Sequence, residues 1–169
     1  MMILRRIVSV FLFAVGWFAV SAGATSAAEI RDEEYGYSLT MPSFPSLGPR
    51  EVYQRWSFLA PADGDFSANV NLQIHTFKTT RDEFIAQSEA QFAKDKFKIN
   101  SKTLREVDGR PAVVFDYEWE ANSVALRFLC LAVVEAERVL LVTCTSKAAA
   151  FDKYEPEFKK AIDSFRLKK

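Results

Sequence analysis

Apolar and polar residues alternate from Tyr35 onward. Tyr35, Tyr37, Leu39 and Met41 interleave with Gly36, Ser38 and Thr40, the period of a strand with one buried face, and Pro42 ends it. Pro42, Pro45 and Pro49 mark a loop, after which Val52 to Leu59, carrying Trp56 and Phe58, reads as a strand closed by the turn residues of Ala60 to Asp65. The clearest alternation follows: Val70, Leu72 and Ile74 against Asn69, Asn71, Gln73 and His75. Then the period changes. Thr80 and Glu83 have capping-box spacing, and Phe84, Ile85, Ser88 and Phe92 fall on one stripe of the helix they would open.

Two further strands, Ile99 to Val107 and Arg110 to Glu120, flank Asp108-Gly109, a dipeptide that accepts the positive φ of a tight hairpin. Val113, Phe115, Tyr117 and Trp119 share one face of the second. Val124 to Val134 and Val139 to Thr145 are nearly continuous apolar runs joined by Glu135 to Arg138, as expected of strands covered on both faces. Phe151, Tyr154, Phe158, Ile162 and Phe165 form a last helical stripe, with Pro156 expected in the first turn of its main helix. The pattern predicts an α+β fold, an antiparallel sheet of about six strands with helices packed on it. Its core should contain Val70, Leu72, Ile74, Phe84, Phe92, Phe115, Phe128, Leu141, Phe158 and Ile162.

Before this pattern begins, Arg5 and Arg6 precede the apolar run Ile7 to Val20, and small residues fill Ser21 to Ala28. That order is expected of a cleavable export signal, with cleavage after Ala28 and acceptable sites after Ala24 and Ala27. A retained N-terminal anchor is the alternative, since Ile7 to Ala28 carries no charge. The expected product is a single domain, 29–169, periplasmic or secreted, with no stable membrane insertion after cleavage. Loss of the segment removes two of the 22 basic residues and none of the 22 acids, leaving a formal charge of −2. Nothing in that balance suits nucleic acid.

Candidate chemistry is sparse, and no cofactor is expected. His75, Cys130 and Cys144 supply imidazole and thiols, but in no spacing of a metal or nucleophile site. Asp63 and Asp65 around Gly64 begin like a calcium loop without the later carboxylates, so a solvated turn is expected. Asp116, Glu118 and Glu120 lie on one strand face, where an acidic row serves as a solvent face or as ion-pair partners. A hairpin at Ala121-Asn122 would set Asp116 opposite Arg127. The glycines after the export segment, Gly36, Gly48, Gly64 and Gly109, form no phosphate-binding loop.

Cys130 and Cys144 are the only cysteines. An oxidising compartment favours their pairing, and the register decides whether they can meet. If Glu135 faces Val139, they stand opposite one another; if Glu135 faces Arg138, they point to opposite faces. The first register needs a three-residue loop without its usual glycine. The compartment leads us to expect the disulfide, structural rather than redox-active.

The strings EYGYSLTMP (34–42), NVNLQIHTF (69–77), VDGRPAVVFDYEW (107–119), RVLLVTCT (138–145) and FKKAIDSF (158–165) resemble the PsbP-like, Mog1-like and DcrB-like domains. The resemblance implies a sheet with helices on both faces, in proteins that mostly bind or stabilise other proteins. Members of the PsbP branch assist photosystem II around its manganese and calcium, and no binding residue of that branch is matched here. The expected function is therefore a non-catalytic envelope protein that binds or helps assemble a protein partner. One alternative is a small-ligand binder with Trp56, Tyr117 and Trp119 as the aromatic walls of a pocket. Another is a hydrolase built on the acidic row.

Overall fold

The computed structural model describes residues 29–42, 44, 54–64, 66–121 and 123–168. The export segment, Pro45, Pro49, Val52, Asp65 and Asn122 lie outside them.

The six-stranded antiparallel sheet is present. Its strands are β3 (Gln54–Leu59), β4 (Asn69–Thr76), β5 (Lys98–Val107), β6 (Arg110–Ala121), β7 (Val124–Glu135) and β8 (Arg138–Lys147), ordered β3-β4-β8-β7-β6-β5. A second, smaller sheet joins β1 (Glu29–Asp32), β2 (Tyr37–Thr40) and β9 (Arg166–Leu167) in the order β1-β2-β9. The alternating Tyr37 to Met41 segment belongs there and not to the main sheet, because its partner β9 arrives from the far end of the chain, with Tyr37 opposite Leu167.

Local signals place the elements. Helix α1 (Arg81–Lys94) opens on the expected capping box: the Glu83 amide donates to Thr80 Oγ1 at 3.3 Å and the Thr80 amide to Glu83 Oε2 at 2.9 Å. At the β5–β6 turn, Asp108 and Gly109 take φ of 48° and 76° and pair Val107 with Arg110. Helix α2 spans Phe151–Asp163, so it begins earlier than expected and holds Pro156 in its interior. The missing N–H there removes one bond of the helical ladder, and the apolar stripe holds the helix in place.

Alternate residues of the long strands divide between two apolar clusters. One unites Leu129, Leu131, Val133, Leu140, Val142 and Cys144 with Phe151, Phe158 and Ile162 of α2 and with Tyr37 and Leu39 of the small sheet. The other unites Val113, Phe115, Tyr117, Phe128 and Cys130 with Phe84, Ile85 and Phe92 of α1 and with Phe97 beyond its end. Every position expected in the core is buried, Ile74 being the most exposed of them at 8%.

Candidate functional site

The thiols do not meet. Glu135 pairs with Arg138, so Cys130 faces Thr143 while Cys144 faces Leu129. The expected disulfide is thus corrected: both cysteines are free and buried, one in each apolar cluster. The reason is the β7–β8 turn, which needs only Ala136 and Glu137 and no residue with positive φ. Burial pushes the Cys130 thiol up to about 12, against the opposing hydrogen bond from Thr143, and lifts Cys144 well above its ordinary range. Neither thiol is a nucleophile in this state.

His75 is on the polar side of β4, as its alternation predicts, yet it is 7% exposed. Burial lowers its pKa to about 4, and Nε2 lies 3.3 Å from Gln73 Oε1. Its neighbours on that side are buried too. Ser57 Oγ donates to Asn71 Oδ1 and Asn71 Nδ2 to Asn69 Oδ1, both at 2.7 Å. This uncharged row has hydrogen-bonding capacity but no acid or base poised near neutrality.

Two members of the acidic row, Asp116 and Glu118, are in ion pairs, and Glu120 is exposed. Arg127 Nε and Nη2 donate to the two Asp116 oxygens at 3.0 and 2.7 Å, and the guanidinium lies 4.1 Å from the Phe151 ring centroid. The pair was expected directly across the strands; it forms on a diagonal, because Ala121 pairs with Val124 and sets Arg127 opposite Glu118. Burial raises the Asp116 carboxyl, but the hydrogen bonds from Arg127 and Asn100, with the charges of Arg127 and Lys159, outweigh it and hold it below the usual carboxylate range. Asn100 also donates to Glu118 at 2.9 Å. A hydrolytic acid needs the opposite shift. Among the described residues no cluster of three His, Cys, Asp or Glu side chains has the arrangement of a metal site. Asp63 sits in a turn whose carbonyl accepts from Lys147 Nζ at 2.8 Å.

The aromatics proposed as pocket walls are separated. Trp56 packs with the α2 cluster and stacks on Phe58 at 6.3 Å, whereas Tyr117 and Trp119 belong with the α1 cluster. Tyr117 is wholly buried between Phe92 at 4.7 Å and Phe128 at 4.8 Å, and Trp119 stacks on Phe97 at 5.3 Å. Alternation along a strand sends residues to known sides but does not say which strands become neighbours, so a shared pocket could not be read from it. An open cleft of about 600 Å³ does exist, lined by Arg81, Arg110, Glu135 and Arg138. Its arginines are engaged with acids, Arg110 with Glu135 at 3.4 Å, Arg138 with the same carboxylate, and Arg81 with Asp82 at 3.6 Å.

One surface stands out. Strand β5 is at the end of the main sheet, so one of its edges has no neighbour among the described strands. It is exposed from Lys98 through Leu104, and the exposed large hydrophobics of the described residues, Ile99 at 37% and Leu104 at 53%, are both on it. A register shift between Ile99 and Ser101 sets Ile99, Lys102 and Leu104 opposite Tyr117, Phe115 and Val113, hence on one face. The sequence carried a trace of this: two isolated apolar residues five positions apart, out of step with simple alternation.

The profile of the DcrB family matches residues 57–164. No curated protein matches the chain. Among solved structures, the fold is similar to cyanobacterial PsbP (CyanoP) from Synechocystis sp. PCC 6803, with a TM-score of 0.64, 12% identity, and coverage of 88% of this chain and 98% of that one. It is similar to PA94 of Pseudomonas aeruginosa, a protein of unknown function and putative regulator, with a TM-score of 0.61, 20% identity, and coverage of 82% and 94%. It is also similar to LpqN of Mycobacterium tuberculosis, described as involved in cell envelope biogenesis, with a TM-score of 0.62, 11% identity, and coverage of 84% and 90%.

Proposed function

The chain belongs to the DcrB family, and from that premise we propose that it is an exported, non-catalytic envelope domain, residues 29–169, that binds or helps assemble a protein partner. The observation that carries the reading is the placement of Ile99 and Leu104, exposed together on one face of the terminal strand β5. Exposed apolar side chains beside polar ones are the mark of a contact surface; Lys102 lies between the two on the same face, and Lys98 and Arg105 flank them on the opposite face of the strand.

The reading gains support from where the reactive groups go. Cys130 and Cys144 are buried thiols, His75 is held neutral, and Asp116 is clamped by Arg127. The two helices pack into separate apolar clusters, and β5 is one of the two terminal strands of the main sheet. No described helix is long and apolar enough to cross a membrane, and the envelope role named for LpqN agrees with an N-terminal export segment. Reciprocal affinity capture from an envelope fraction tests the reading: one partner should be recovered with either protein as bait and lost with Leu104→Asp. Capture that is indifferent to every exposed substitution, or no reciprocal partner, would count against it.

A further inference from the structure

We infer that the partner docks by adding an extended, acidic segment as a further strand on the open edge of β5; this rests on the partner-binding reading and names its chemistry. The edge is ten residues long, Lys98–Val107, and its backbone groups on the outer side face no described strand. A peptide that pairs with such an edge gains main-chain hydrogen bonds, and alternate side chains set its specificity.

Charge selects the occupant. The side chains a docked strand would meet directly are Lys98, Lys102, Arg105 and Glu106, three cations and one anion. A second copy of β5 would set cations against cations, with Lys102 facing itself in the centred antiparallel register, and lysines on an edge strand oppose self-pairing. An incoming segment with acids opposite Lys98, Lys102 and Arg105 and apolar residues opposite Ile99 and Leu104 is complementary at these five positions. Each of these cations already has an acid of its own, Lys98 with Glu118 at 3.5 Å, Lys102 with Glu89 at 2.5 Å and Arg105 with Asp163 at 2.9 Å, so an incoming carboxylate joins or displaces a partly exposed pair.

The probe is the palindromic peptide Glu-Val-Thr-Glu-Thr-Val-Glu, which presents the same pattern in either strand direction, with Lys-Val-Thr-Lys-Thr-Val-Lys as its charge reversal. Amide chemical shifts of the 29–169 domain are followed on titration. The acidic peptide should bind roughly tenfold more tightly than the basic one, as three reversed cross-strand pairs imply. Shifts should concentrate in β5 and weaken with salt. The double variant Lys102→Glu/Arg105→Glu, whose new carboxylates face Glu89 and Asp163, should reverse the preference while its amide shifts away from these contacts stay those of the folded domain. Equal affinity for both peptides, shifts away from β5, or no binding would overturn strand addition. If the peptide fails while cross-linking from another face captures a partner in cells, only this docking mode falls; if no position captures one, the partner-binding reading falls with it.

Discussion

His75 is the residue whose burial has the clearest consequence in solution. Its pKa drops from 6.5 to about 4 because the site excludes water. Between these values the unfolded chain holds a proton that the folded one does not, so stability falls as pH falls. The contribution is complete above pH 6.5 and gone below about 4, a loss of about 3 kcal/mol. Urea unfolding at several pH values should show this slope in the wild type and lose it in His75→Gln; parallel curves would contradict the burial. For Cys130 and Cys144 the expectation is two thiols that alkylate only after unfolding and a melting temperature unchanged by reductant. The sequence made legible that His75 stands on a polar strand side. It did not make legible that this side is buried, because coverage depends on packing between distant segments.

At the level of elements, α2 should be the most sensitive to a single truncation. Phe158 is fully buried beneath it, 5.7 Å from the Phe151 ring and 6.0 Å from Tyr154. Phe158→Ala should cost about 3 to 5 kcal/mol of unfolding free energy, and a shift below ~1 kcal/mol would show that the helix is not held by its apolar stripe. Elements with strong local chemistry were readable beforehand: the Thr80 and Glu83 cap, the Asp108-Gly109 turn, and the alternation of β4. Registers without such chemistry were not. Ala136-Glu137 carries no turn signature, so the choice between paired and opposed cysteines stayed open. The two residues of β9 are too few to show a period, so the small sheet could not be foreseen.

The whole molecule joins a DcrB-family domain to an N-terminal segment patterned for export. Intact-mass measurement of the exported protein should find a chain starting at Glu29, with starts after Ala24 or Ala27 as the other acceptable sites; an intact Met1 in the membrane fraction would contradict cleavage. Strand β5 is one of the two terminal strands of the main sheet, and Leu104 on it is the most exposed large hydrophobic of the described residues. Partner binding there is the central claim. The measurement that tests it most directly is photo-cross-linking in cells from a photoreactive residue placed at Leu104, beside the same residue placed at the exposed Lys160 of α2. The account predicts one discrete adduct to another envelope protein from position 104 and none from position 160. Equal adducts from both positions, or none from position 104, would contradict it.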